Sequence, residues 1–329
     1  MPLPCFQAKR SRTPLRIDVH AHCFPAEYLD LLDRYGNSAV GTDFARRFAA
    51  GATSTELDTR FELMERAGVD YQILSIAPQA PYFPDRDRSV AATRLANGTF
   101  ADLTQRHPQK FLAFGCLPLP HLDASLAEAA RCLDDLAMAG ITVSTWALDR
   151  SIADRSFDPL FEELNRRGAV LFVHPAGLAC GSSAIADSRL TWPLGAPVED
   201  ALVALQLMQS GVPTRYPRLS IILSHLGGFL PFLMRRLDHQ SRWFLADDSP
   251  LPSELARRFW YDTVNAHPPA LRCAVETLGA NRLLFGSDFP YWTDEAYQLA
   301  ARYISESGLS AEAVAQVESR NAAALFAIT

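Results

Sequence analysis

The chain has almost no lysine: Lys9 and Lys110 are the only two in 329 residues. It also lacks any CxxC pair. Its six cysteines, Cys5, Cys23, Cys116, Cys132, Cys180 and Cys273, are scattered singly. That argues against a disulfide framework or a structural zinc knot and reads as free thiols in a reducing cytoplasm. Positive charge is not in excess, the net charge being −6, so there is no electrostatic case for nucleic acid or an anionic membrane surface as partner. No apolar run approaches the ~20 residues of a membrane span. The first ten residues, MPLPCFQAKR, lack the apolar core of a signal peptide. No internal repeat, low-complexity tract or linker divides the chain.

What the sequence does have is core-forming material, 48% of it hydrophobic, arranged as short apolar runs alternating with longer helical patterns. Eight strands are expected near 15–21, 69–77, 110–119, 140–145, 169–175, 219–226, 259–264 and 282–289. Amphipathic helices are expected over 57–67, 88–106, 124–138 and 157–167, with Gly68, Gly140 and Gly168 just past helix ends, as C-caps. Strand–helix alternation of this kind predicts an α/β fold, a single-domain (β/α)₈ TIM barrel over 15–329 preceded by an irregular arm at 1–14. The competing open sheet would bring a Gly-rich phosphate loop after strand one, and none is present. Two loops are unusually long, 23–56 and 176–200. Both follow strand C-termini, where barrels build their sites.

Four strand ends carry a potential metal ligand or acid/base. Strand one ends in His20 and His22, which a two-residue period puts on one face. Strand five ends in His174, strand six in His225 and strand eight in Asp288. A barrel brings these ends to one mouth. The remaining histidines break the pattern: His107, His121, His239 and His267 lie in helices or Pro-flanked loops and read as surface or capping groups, although His267 follows strand seven. Imidazoles with one carboxylate suit a single divalent ion, Zn²⁺ first and Mn²⁺ as the alternative, with a coordination position left open for chemistry. On the residues alone, His225 is either a further ligand or an unligated acid/base.

The ordered set HxH, His, His, Asp resembles the amidohydrolase superfamily. Within it the chain resembles the decarboxylase branch of 2-amino-3-carboxymuconate 6-semialdehyde, 6-methylsalicylate and γ-resorcylate decarboxylases. The similarity runs from about Ile17 to Phe326 through IDVHAHCFP, RFELMERAGVD, VHP, SHLGGFLPFLMRRLD, RFWYDT, NRLLFGSDFP and NAAALF. The resemblance implies His20, His22, His174 and Asp288 as the metal ligands and His225 as the unligated catalytic histidine, with Asp288 also a candidate acid. It implies Trp192 as a pocket residue and Arg236 as a carboxylate-binding arginine. A second arginine is expected from the first loop, where Arg46 and Arg47 are the candidates and Arg47 is chosen. Binuclear members of the superfamily bridge their metals with a lysine on strand four. This strand four has none, so one metal is expected.

The expected reaction is non-oxidative decarboxylation of a small aromatic, salicylate-type acid or a muconate-type acid. The alternative is hydrolysis or hydration by a metal-activated water. Phe24, Trp192, Phe289, Tyr291 and Trp292, just past strand ends or in the long loops, give a pocket suited to an aromatic ring, with Phe289 counted as a substrate contact. No organic cofactor motif is visible. The apolar stretch Phe229–Met234 after strand six is a possible homodimer face, or packs on the barrel.

Overall fold

The structure, a computed structural model, describes residues 15–36, 41–243 and 248–328; the expected arm at 1–14 lies outside them. Eight parallel strands alternate with helices: β1 (Ile17–His22), β2 (Tyr71–Ser75), β3 (Phe111–Cys116), β4 (Gly140–Ser144), β5 (Val170–His174), β6 (Ser220–Leu223), β7 (Trp260–Asp262) and β8 (Leu283–Leu284). They pair in sequence order. The extended chain after β8 returns to β1 through Val19 N–H to Phe285 O at 2.9 Å, Asp288 N–H to His20 O at 2.8 Å and His22 N–H to Phe289 O at 2.6 Å. This closes the (β/α)₈ barrel and sets Asp288 beside the histidine pair.

Several expected elements are trimmed or altered. Strand eight is regular only at Leu283–Leu284, because its continuation bends to meet β1. The helix expected over 124–138 is α-helical at Leu122–Ala130 and widens into a π turn at Arg131–Asp135. Gly68 and Gly168 do cap helices in left-handed conformation. Gly140 does not: it opens β4. A Cβ there would stand 2.5 Å from the Val170 carbonyl oxygen, so the close approach of β4 to β5 requires glycine. A small ribbon pairing Trp146–Ala147 with Arg150–Ser151 follows β4 and was not expected.

The barrel's two ends are built differently. The floor is apolar: Ile17, Val19, Ile73, Phe114, Phe172, Ile222 and Leu284 form one buried cluster, joined by Ala322 and Phe326 of the C-terminal segment. Just above it the interior becomes polar. The β1–β2 register shifts between Asp18 and Ala21, a bulge that breaks strict alternation. Val19 therefore packs in the inner cluster while the next residue, His20, also faces inward, its ring 5.0 Å from Phe172.

The long first loop holds the helices Ala26–Tyr35 and Asp43–Arg46. The long fifth loop holds short turns and leads into the helix Ala196–Gln209. Both fold over the mouth.

Candidate metal centre and active site

The predicted strand-end residues do converge. His20 and His22 are fully buried, His174 is 2% exposed and Asp288 9%. His20 Nε2 lies 3.1 Å from His22 Nε2 and 3.2 Å from Asp288 Oδ1, and His22 Nε2 is 3.0 Å from the same Oδ1. One ligand atom from each of His20, His174, His225 and Asp288 lies within 4.8 Å of the others.

Neighbouring groups fix the rings. His20 Nδ1 meets Asp262 Oδ2 at 2.7 Å, and His174 Nδ1 meets the Pro175 carbonyl oxygen at 2.9 Å. A carbonyl only accepts, so His174 carries its proton on Nδ1 and turns the Nε2 lone pair inward. The carboxylate of Asp262 does the same for His20. Electron-rich atoms thus converge on one point, an arrangement that calls for positive charge and that a single divalent cation fits.

The rings differ in their preference for charge. Burial disfavours a charge on His20, yet Asp262 and Asp288 outweigh it and raise its pKa to about 9. Burial dominates at His22, lowering it to about 4. Burial, reinforced by the other histidines, holds His174 well below the usual imidazole range. Burial opposes ionisation of Asp288, but the charge of His20 and hydrogen bonds from the histidines keep it well below the usual carboxylate range.

His225 belongs to the cluster within 4.8 Å, which by that measure does not include His22, and it also lines the cavity. Its Nδ1 is 2.8 Å from Asp200 Oδ2, and its Nε2 is 3.9 Å from Asp288 Oδ2. Burial works against its charged form, but Asp200 and then Asp288 raise its pKa well above the ordinary value. Burial in turn pushes Asp200 up to about 7. The backbone here is unusual. His225, Leu226, Gly227 and Gly228 all have positive φ, as does Asp288 at 61°. A Cβ on Gly228 would stand 1.9 Å from the Pro197 carbonyl oxygen, so this turn needs glycine to pack against the helix that carries Asp200. Non-glycine residues held in the left-handed region concentrate at functional sites.

Sequence reasoning missed Asp262 and Asp200. Asp262 carried a usable signal, since it closes β7 by the same strand-end logic. Besides His20 it accepts from the His225 N–H at 2.9 Å. Asp200 had none: an acid one turn into a helix is common without any such role. Its neighbour Glu199 is also buried and accepts from the N–H groups of Ala176 and Leu178, both at 2.7 Å, and from the Thr145 hydroxyl at 2.8 Å, pinning the chain just after His174.

The donors open into a cavity of about 150 Å³ lined by Phe44, His174, Trp192, Ala196, His225, Asp288 and Tyr291. Trp192 is therefore at the cavity. Phe289 is not. Alternation turns it away from Asp288, and its ring lies under the buried Arg60 guanidinium at 4.3 Å, while Arg60 donates to the His22 carbonyl at 2.6 Å. Arg236 sits on the exposed side of the helix Leu230–Ser241, and Arg47 is exposed beside Arg46, which pairs with Asp30 and Asp33. Among the described residues no arginine lines the cavity. Larger hollows lie elsewhere, of about 560 Å³ around Leu205, Met208, Leu237 and Leu255 and about 290 Å³ around Tyr216, Arg258, Trp260 and Arg282, but neither is lined by any of the converging donors.

Aromatic rings close the mouth. Tyr291 lies 5.4 Å from His22, stacks on Phe44 at 5.6 Å and 11°, and faces Trp192 at 6.4 Å and 21°. Burial, then the Asp288 charge, pushes its phenol pKa up. The other histidines keep the bland roles expected of them: His107 packs between Phe61 and Phe111, and His121 meets the Phe83 carbonyl at 2.9 Å.

Known proteins share this architecture. The chain is 28% identical over 295 residues to a 2-amino-3-carboxymuconate-6-semialdehyde decarboxylase of Dictyostelium discoideum, covering 84% of this chain and 82% of that one. It is 30% identical over 321 residues to the 6-methylsalicylic acid decarboxylase of Penicillium expansum, covering 94% and 96%. A dihydroxybenzoic acid decarboxylase from Polaromonas, solved with bound manganese and the inhibitor 2-nitroresorcinol, superposes with a TM-score of 0.82 at 25% identity, covering 96% and 98%. The amidohydrolase pattern itself matches residues 17–328, which include every converging donor. The chain belongs to the amidohydrolase family.

Proposed function

We propose that this chain is a metal-dependent, non-oxidative carboxy-lyase that releases CO₂ from a small single-ring aromatic acid of the salicylate type or from a muconate-type acid. The observation that carries this reading is the set of inward-facing imidazole and carboxylate donors opening on a small aromatic-walled cavity, in a chain whose relatives are decarboxylases of such acids. A cavity near 150 Å³ has room for one six-membered ring.

In this reading His20, His22, His174 and Asp288 hold one divalent ion. Three imidazoles favour Zn²⁺, while the Polaromonas relative holds manganese. When bound, the ion supplies a Lewis acid that orients and polarises the acid. Asp262 and the Pro175 carbonyl hold two of the rings in the ligating tautomer. His225, raised in pKa and anchored by Asp200, keeps a proton on Nε2 at the cavity wall. It delivers that proton to the carboxyl-bearing ring carbon. The bond to the carboxylate then breaks, its electron pair returns to the ring, CO₂ leaves, and solvent reprotonates His225. General acid catalysis of this kind contributes about 10²–10⁴-fold. Trp192, Phe44 and Tyr291 position the ring and exclude water.

The test is to load purified protein with Zn²⁺ or Mn²⁺ and supply 2,6-dihydroxybenzoate, 6-methylsalicylate and aminocarboxymuconate semialdehyde. CO₂ release from one of them, faster with the preferred metal, is expected. Hydrolysis of a lactone panel with no CO₂ from any acid would overturn the reading in favour of the hydrolase alternative.

We also read the chain as a cytoplasmic homodimer. Cys23, Cys116 and Cys132 are free and buried. No helix among the described residues is long and apolar enough to cross a membrane. The Phe229–Met234 stretch divides its apolar residues: Leu230, Pro231 and Met234 pack on the barrel, while Phe232 is 83% exposed and Phe229 39%. Light scattering that gives a monomer would overturn the dimer.

A further inference from the structure

Tyr291 differs from the other rings at the mouth. It follows Asp288 in a tight turn, its N–H donating to the Asp288 carbonyl at 2.8 Å. Its ring packs against His22 and Phe24 on the barrel side and against Phe44, Phe48 and Trp192 on the loop side. Every one of these contacts could be made by phenylalanine. Yet the ring carries a hydroxyl, and that oxygen is buried with no hydrogen-bond partner among the described residues. A phenol buried without a partner costs free energy that phenylalanine would not. The cost is recovered only when something entering the cavity supplies an acceptor.

We infer that the Tyr291 hydroxyl reads the ring substituent of the substrate, donating a hydrogen bond to an oxygen carried beside the carboxyl group, so that the site favours a hydroxylated over a methylated ring. The inference rests on the decarboxylase reading for the identity of the site. The geometry supports it in two ways. Tyr291 lines the same small cavity as His174, His225 and Asp288, and its ring packs on that of His22, so it stands on the donor side of a ring bound there. Of the remaining cavity walls, Phe44 and Ala196 carry no polar side-chain group, and Trp192 turns a ring face to Tyr291 at 6.4 Å and 21°. Sites built to hydrogen-bond a substrate hydroxyl discriminate strongly against analogues without it, because their own polar group is left unpaired.

The experiment uses two unreactive probes of nearly equal shape, 2-nitroresorcinol and 3-methyl-2-nitrophenol, which differ by one hydroxyl replaced with methyl. Calorimetric titration of the metal-loaded full chain should show 2-nitroresorcinol binding about 10–100-fold more tightly. In Tyr291→Phe the ratio should fall to within about threefold, chiefly through loss of 2-nitroresorcinol affinity, a change of the size one hydrogen bond supplies. The metal-free variant should melt at or above the wild-type temperature. An unchanged ratio in Tyr291→Phe overturns the inference, as does an equal loss for both probes, a lower melting temperature, or no binding of 2-nitroresorcinol to the wild type. CO₂ release from 2,6-dihydroxybenzoate is followed in parallel. Its absence there and from the other two acids named above, together with a ratio that collapses in Tyr291→Phe, overturns the decarboxylase reading while supporting the role of Tyr291.

Discussion

The two ends of this barrel solve opposite problems with the same strands. At the floor, β1, β2, β3, β5, β6 and β8 each contribute apolar side chains to one dry cluster that the C-terminal segment plugs. At the mouth, β1, β5 and β7 and the chain after β6 and β8 contribute His20, His22, His174, His225, Asp262 and Asp288, and the two long loops, with Tyr291, close over them with aromatic rings. The floor has ordinary strand backbone. The mouth holds His225 and Asp288 in the left-handed region. The floor gains free energy by close packing, and the mouth gives some of it up to hold electron-rich atoms face to face.

The largest effects are expected at the mouth. His174→Ala should lose bound metal and activity together. His225→Asn should lose about 10²–10⁴-fold in kcat while keeping most of its metal. Metal analysis beside a CO₂ assay separates the two. Equal metal loss in both variants would make His225 a ligand and place it with His174.

At the floor the expected effect is on stability instead. Ile222→Ala removes a fully buried side chain from the apolar cluster and should cost about 2–5 kcal/mol in denaturant unfolding. Activity per folded molecule at low temperature should stay within about twofold, since active sites sit at the opposite end of such barrels. A selective loss of kcat at full stability would show that the two ends are coupled.

The smallest effect is expected on the outer helix Asp158–Arg167, which belongs to neither end. Hydrogen bonds and charge from Arg166 and Arg167, outweighing partial burial, lower Glu163 from 4.5 to about 2. A carboxyl group with a depressed folded pKa stabilises the fold above its unfolded pKa, and that contribution is lost as pH falls through the folded value. Glu163→Gln should therefore cost at most about 1 kcal/mol at pH 7, as partly exposed pairs do. The difference from wild type should shrink between pH 4.5 and about 2 and vanish below. Unfolding curves across that range check it, and a constant difference would point to packing rather than charge.

Much of the mouth was legible in the sequence, because strand ends in a parallel barrel converge by topology alone. The histidines and Asp288 could be placed together without knowing a single distance. Asp262 was legible by the same rule and was overlooked. Asp200 was not, since its role depends on how the helix Ala196–Gln209 packs on the Gly227–Gly228 turn, a contact with no local signature. Phe289 and Asp288 are neighbours, and which of them faces the cavity is decided by backbone direction at a bend after β8. Gly140 looked like a helix cap because glycine serves both caps and close strand approaches. Arg236 is matched by likeness and Arg47 only by lying in the first loop, where no alignment guides the choice; the fold leaves both exposed, and neither lines the cavity.

The bulge in β1 separates the two ends of the strand. The bulge between Asp18 and Ala21 is a phase shifter: below it odd-numbered residues face the axis, above it even-numbered ones do. The strand therefore carries two reading frames joined at one residue. Ile17 and Val19 can be exchanged among apolar residues to suit the floor without rotating the histidines, and the HxH pair can diverge without unseating the floor. A fold with such a joint can change its chemistry and keep its foundation.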